Sequence, residues 1–153
     1  MSKQMLQEMT FRQIKEDDIP KIIAIEKETF SDAWTAQSLC ETCRQEQAFI
    51  SVAEANGDIV GYCIIYYVLD EGEMVRIAID QKLRHQGIGQ ALLNYTCGVC
   101  KEKGVGKILL EVRESNASAR RFYAHYGFGE DGIRKNFYDN PKEDAVLMSK
   151  DLS

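Results

Sequence analysis

Three stretches of this sequence carry residues whose types and spacing could do chemistry. The first is Arg84-x-x-Gly87-x-Gly89. Two closely spaced glycines let backbone N–H groups approach an anion, and a helix opening at about Ile88 turns its partial positive end the same way. Arg84 and nearby Lys82 add positive charge. The chemistry implied is retention of a phosphate, and of a pyrophosphate in particular. Other readings compete. A dinucleotide fingerprint needs glycine where Leu92 stands and a turn directly after its strand, whereas Asp80 to Gln86 intervene. The only near match to a Walker loop, Gly104-Val105-Gly106-Lys107, follows a helical segment and continues Ile-Leu. An ordinary turn with two glycines is the third alternative.

The second stretch is Lys107 to Val112, an apolar run interrupted by one carboxylate, Glu111. Burial raises a carboxylate's pKa and makes it a proton acceptor near neutrality. An ion pair with Arg113 or Arg76 is the competing role. The third is Asn116 to Tyr126. Tyr123 carries a phenol that is protonated at neutral pH and able to donate, or else it is a core aromatic beside Phe122. Asn116 reads as a helix N-cap or as a polar ligand contact, two roles that compete for one amide.

The elements that must position these groups follow from periodicity. Thr10 to Lys15 alternates as a strand, and Asp17-Asp18-Ile19-Pro20 opens a helix reaching about Phe30. Thr35 caps a second helix through Leu39 to about Arg44. Phe49–Ala53 and Ile59–Leu69 read as strands joined by the hairpin signal Asn56-Gly57-Asp58, the second apolar enough to be covered on both faces. Met74 to Asp80 alternates, with Val75, Ile77 and Ile79 on one side and Arg76, Ala78 and Asp80 on the other. Ile88, Leu92, Tyr95 and Val99 form one helical stripe, ended by Gly104. Lys107 to Val112 is a strand, Ala117 to Tyr126 a short helix stopped by Gly127, and Gly132–Phe137 with Ala145–Lys150 a final antiparallel pair joined through Asp139-Asn140-Pro141. That order predicts an α/β fold with a mixed sheet of about seven strands and helices on both faces.

Composition limits the function. The 153 residues contain 44% hydrophobic and 28% charged residues, a globular balance, with no repeat or linker, so one domain over 1–153 is expected. No apolar run nears the roughly 20 residues that cross a bilayer, and Met1 to Glu8 lacks a signal-peptide core, so no membrane association is expected and a cytoplasmic location is. Nineteen Lys and Arg against 24 Asp and Glu give a net charge of -5, which argues against non-specific nucleic-acid binding. Cys40-x-x-Cys43 and Cys97-x-x-Cys100 resemble zinc half-sites, but both fall in helical segments and read as small apolar faces, so no metal is expected. Cys63 reads as a buried, inert thiol, His85 as part of the glycine loop, and His125 as a surface residue. A monomer or weak dimer is expected.

Taken together, these motifs resemble the Gcn5-related N-acetyltransferases, whose signature Gln/Arg-x-x-Gly-x-Gly/Ala is matched at every specified position by Arg84 to Gly89. Leu110-Glu111-Val112-Arg113-Glu114-Ser115-Asn116, Phe122-Tyr123-x-x-Tyr126-Gly127-Phe128, Ile77-Ala78-Ile79-Asp80 and Arg134-Lys135-Asn136-Phe137-Tyr138 resemble the ribosomal-protein-alanine branch. The likeness spans the chain, strongest from Met74 to Tyr138 and looser around Phe30 to Trp34. Gln90 departs from the pattern, since the relatives often carry Arg there.

The resemblance implies that fold, with a mainly antiparallel sheet, and acetyl-CoA as co-substrate without a metal. It implies that the backbone of Arg84, His85, Gln86, Gly87, Ile88, Gly89 and Gln90 wraps the diphosphate, that Ile77, Ala78 and Ile79 pair with pantetheine and polarise the thioester carbonyl, and that Asn116 contacts coenzyme A. It implies Glu111 as general base and Tyr123 as the acid that protonates the thiolate. Trp34 and Tyr138 are implied to flank the acceptor slot. Direct attack in a ternary complex is implied, with the N-terminal alanine of a small-subunit ribosomal protein as acceptor. A lysine side chain, polyamine or other small amine is the alternative acceptor, and a non-catalytic coenzyme A-binding module is the alternative from another class.

Overall fold

The computed structural model describes residues 8–152. The signal-peptide reading of the first seven residues lies outside them. Seven strands form one sheet in the order β1-β2-β3-β4-β5-β7-β6. The elements are β1 (Thr10–Gln13), α1 (Ile19–Thr29), α2 (Ala36–Cys43), β2 (Ala48–Ala55), β3 (Asp58–Val68), β4 (Glu71–Ile79), α3 (Ile88–Glu102), β5 (Lys107–Arg113), α4 (Ala117–His125), β6 (Gly129–Tyr138) and β7 (Glu143–Asp151). All pairings are antiparallel except β4 with β5. The expected mixed, mainly antiparallel sheet is therefore present. Among the described residues no helix is long and apolar enough to cross a membrane.

Two apolar layers cover the sheet. Ile88, Leu92, Leu93, Cys97 and Cys100 of α3 pack against Cys63, Ile65, Ile108 and Leu110 on one face. Ile19, Ile22, Ile25 and Leu39 of α1 and α2 pack against Ile50, Val52, Tyr62 and Ile64 on the other. Each fully buried Leu or Ile contributes about 1.5–3 kcal/mol, so these layers fix the sheet that carries the site. The helix starts follow their sequence signals. The Thr35 hydroxyl accepts from the Ser38 N–H at 3.1 Å, and the left-handed Asn56 and Gly57 make the β2–β3 turn. The two cysteine pairs lie on opposite faces, Cys40 against the α1–α2 layer and Cys97 and Cys100 within the α3 layer, so they cannot share an ion.

Several sequence expectations change, and β4 begins at Glu71, three residues before Met74. Leu69 is not in β3; it sits at the hairpin tip with φ 56 and is 86% exposed. β6 begins at Gly129, three residues before Gly132. Val75 does not share a side with Ile77 and Ile79. A bulge pairs Ile64 with Arg76 but Ile65 with Met74, so Val75 is the extra residue and packs with the α1–α2 layer. Strict alternation could not show this, because a bulge is a property of the partner strand.

The bulge coincides with the feature that makes the site. β4 pairs with β5 only from Glu71 to Glu73, opposite Lys107 to Leu109. Beyond that point β4 continues to Ile79 and β5 to Arg113 without a ladder between them. The two central strands splay, and β4 is left without a strand partner on that side.

Candidate active site

The glycine loop stands at the open end of β4. A 3-10 turn, Gln81–Leu83, leads from the strand, held where Asp80 accepts the Lys82 N–H at 3.1 Å. Gly87 then takes φ 88 and serves as the N-cap of α3. The first helical bond runs from the Ala91 N–H to the Gly87 carbonyl, which leaves the N–H groups of Ile88, Gly89 and Gln90 without helical acceptors at the positive end of the dipole. A β-carbon at Gly89 would come within 3.5 Å of the Phe122 ring, so any larger side chain would fill the space between α3 and α4.

These groups line one groove of about 540 Å³ between the two helices. Ile79, Arg84, His85, Gly87, Ile88, Gly89, Gln90, Asn116 and Tyr123 all border it, together with Phe122 and Tyr126 of the quoted motif and with Ser118 and Ala119, which the sequence did not single out. Gln86 is half-buried and outside the lining. Ile88 offers only its backbone, because its side chain is 1% exposed in the core. Arg84 is engaged internally. Its Nε donates to the Ile79 carbonyl at 3.1 Å and its Nη2 to the Thr29 hydroxyl at 3.1 Å, tying the end of β4 to α1. The donors that this loop leaves open are thus mainly backbone N–H groups.

Asn116 is the helix cap, and the cap uses only one end of its amide. Oδ1 accepts the Ala119 N–H at 3.1 Å as the cap of α4, and Nδ2 remains a donor at the groove's edge. Gln90 accepts from the Tyr126 hydroxyl at 3.1 Å. Tyr123 packs edge-on against Phe122 and Phe128, each with ring centroids 5.5 Å away. Burial holds its phenol well above the ordinary tyrosine range, with Cys63 and Tyr138 adding to the effect, so it stays protonated throughout physiological pH.

Glu111 lies across the sheet from Tyr123. Its neighbours Leu110 and Val112 point into the α3 layer, so Glu111 points to the opposite face. There it borders a second groove of about 590 Å³, with Glu73 of β4 and Asp131 and Arg134 of β6 on the same wall. Burial raises its pKa, Arg134 opposes that rise, and Glu73 reinforces it. Neither expected ion-pair partner is used. Arg113 goes to Glu143 at 3.2 Å, Arg76 to Glu26 and Asp32 at 3.1 Å each, and Glu111 to Arg134 at 3.1 Å. Sequence reasoning missed Arg134 because the pairing depends on β6 lying two strands from β5.

Trp34 and Tyr138 border neither groove. Trp34 is half-buried against the α1–α2 layer and donates its backbone N–H to Glu26 at 3.2 Å. Tyr138 lies under the Arg113 guanidinium, 4.4 Å from its ring centroid, and Arg113 also donates to the Pro141 and Asp139 carbonyls at 2.8 and 3.0 Å. Arg113 therefore fixes the β6–β7 hairpin. Burial raises the Tyr138 phenol, and the Glu111, Glu143 and Asp32 carboxylates raise it further against Arg113.

The sheet is split between its two parallel strands, and a glycine loop caps a helix beside the split. The chain belongs to the acetyltransferase (GNAT) family, whose model matches residues 11–128. It is 31% identical over 146 residues to the ribosomal protein bS18-alanine N-acetyltransferase of Escherichia coli strain K12, covering 94% of this chain and 98% of that one. It is 37% identical over 140 residues to the Haemophilus influenzae enzyme of the same name, covering 90% and 94%. The crystal structure of the E. coli ribosomal-protein-S18-alanine N-acetyltransferase superposes with a TM-score of 0.86 at 31% identity, covering 95% of this chain and 94% of that one. Ard1 from Thermoplasma volcanium also gives 0.86, at 26% identity over 94% and 97% of the two chains.

Proposed function

We propose that this acetyltransferase moves the acetyl group of acetyl-CoA onto the α-amine of a protein's N-terminal alanine, with a small-subunit ribosomal protein as the acceptor. The observation that carries the reading is the split between β4 and β5, with Glu111 on the unpaired part of β5 facing one side of the sheet and Tyr123 in the groove that reaches Ile79 of β4 on the other. The acceptor assignment is supported by the names of the relatives above.

The residues present fit the donor. The left-handed turn at Gly87 and the unpartnered N–H groups of Ile88, Gly89 and Gln90 suit a diphosphate. The free side of β4 at Ile77, Ala78 and Ile79 suits an extended amide-bearing arm by strand addition. Asn116 Nδ2 supplies one further donor. When bound, the thioester supplies an activated acetyl carbonyl.

The protein's own contributions follow from charge and position. Glu111, held ionisable in a half-buried site, accepts the proton of the acceptor ammonium directly or through one water. A backbone N–H of Ile77–Ile79 stabilises the negative charge that develops on the carbonyl oxygen. Tyr123 gives its proton to the departing sulfur. No side chain is acylated, since the amine attacks directly while both substrates are bound. Trp34, between α1 and α2, and Tyr138, at the end of β6, flank the acceptor. The same reading makes 1–153 one catalytic domain working in the cytoplasm, where the five free thiols persist.

A thiol-release screen with acetyl-CoA tests this, using peptides beginning with Ala, Ser or Met, an N-blocked lysine peptide and a polyamine. The expected result is the highest kcat/KM for the alanine peptide. If that peptide reacts no faster than free small amines, the acceptor assignment is wrong. Cofactor binding without transfer to any amine would make the chain a binding module.

A further inference from the structure

Arg76 has no part in the chemistry above, yet it makes contacts that no other residue of β4 makes. It follows the bulge at Val75, where Ile64 pairs with Arg76 and Ile65 with Met74. Without the extra residue, alternation would turn position 76 toward the α3 layer with Met74. The bulge re-aims it to the face covered by α1 and α2.

On that face its guanidinium ties down a five-residue loop. Nη2 donates to the Asp32 carbonyl at 2.9 Å and to Asp32 Oδ1 at 3.1 Å. Nε stands 3.1 Å from Glu26 Oε1, and Glu26 is fully buried. The guanidinium plane covers the Phe30 ring at 4.0 Å and lies 5.9 Å from Trp34. Glu26 completes the knot by accepting the Trp34 N–H through its other oxygen at 3.2 Å. A buried ion pair of this kind adds little net stability over a well-packed apolar pair, because desolvation offsets the Coulombic gain. Its distinctive effect is to define where the loop lies.

We infer that Arg76 is a positioning residue for the acceptor, fixing the Phe30–Trp34 loop against the strand that carries Ile77–Ile79. The inference rests on the acetyl-transfer reading above. Arg76 touches no reacting atom; it holds the acceptor wall in register with the donor strand. Loosening it weakens capture of the acceptor while leaving donor binding and the chemical step in place.

Steady-state kinetics with acetyl-CoA and an alanine-initiated peptide test this on the full chain. Arg76→Lys keeps a charge for Glu26 but loses the two Nη2 bonds to Asp32 and the planar cover on Phe30. The peptide KM is expected to rise about tenfold, with kcat and the acetyl-CoA KM changing by less than about twofold. Asp32→Ala removes only the loop's carboxylate, whose side chain is 81% exposed, and is expected to move the peptide KM in the same direction by a smaller factor. If Arg76→Lys folds poorly, the double variant Glu26→Leu with Arg76→Met is read instead, since it leaves neither charge buried alone. It should melt near the wild type and show the same rise in peptide KM. An unmoved peptide KM, or an acetyl-CoA KM that rises in step with it, overturns the inference alone. A wild type inert toward every peptide overturns the acceptor reading beneath it.

Discussion

Glu111 Oε1 and Arg134 Nη1 meet at 3.1 Å across the intervening strand β7, so the candidate base and its cationic partner come from strands β5 and β6, which do not pair with each other. Burial pushes the Glu111 carboxyl up and Arg134 pulls it down. A base with its pKa raised by burial loses its working form as pH falls through that value, which sets the acid limb of the rate profile. Glu111→Gln is expected to lower kcat by about 10²–10⁴, with the acetyl-CoA dissociation constant little changed. Arg134→Gln removes the opposing influence and is expected to move the acid limb of kcat/KM to higher pH.

Tyr123→Phe is expected to keep the fold, since the ring contacts to Phe122 and Phe128 survive. Loss of the hydroxyl should lower kcat by about 10²-fold through the missing proton donor. Because burial holds this phenol above the ordinary tyrosine range, it stays protonated as pH rises. The wild-type profile should show no alkaline fall attributable to this residue below about pH 10.

Asn116 allows its two roles to be separated. Asn116→Ala removes the cap on Ala119 and should cost about 1 kcal/mol of stability together with donor affinity. Asn116→Asp keeps an acceptor for that N–H but loses the Nδ2 donors, so the melting temperature should hold while acetyl-CoA binding weakens. Calorimetry and a binding titration on the two variants distinguish these outcomes.

Asp18 reports on stability alone. Its carboxylate accepts from Arg12 at 2.7 and 3.0 Å and from the Lys15 N–H at 2.7 Å, and Arg12 holds its pKa below the ordinary carboxylate range. The stabilisation is therefore complete above the ordinary aspartate value and is lost as pH falls from there through the lowered one. Asp18→Asn should cost about 2 kcal/mol at pH 7, and the difference from wild type should shrink in acid denaturation below that range.

The sequence was most legible where the signal is local. The glycine at 87, the caps at Thr35 and Asn116 and the Asn56-Gly57 turn each act through their own few residues, and each structure follows from them. What could not be read depends on partners distant in the chain. The bulge that flips Val75 and re-aims Arg76 is defined by β3. Diversion of the Arg84 guanidinium to Thr29 and Ile79 needs α1 packed against the end of β4. The Glu111–Arg134 pair needs β7 inserted between β5 and β6.

The central claim is that the donor occupies the opened side of β4 and the first turn of α3. Amide hydrogen exchange measured with and without acetyl-CoA tests it most directly. The expected result is slowing by about tenfold or more at amides within Ile77–Ile79 and at Ile88–Gln90, with the β1–β2 pair unaffected. Unchanged exchange in both segments at saturating acetyl-CoA would contradict the account.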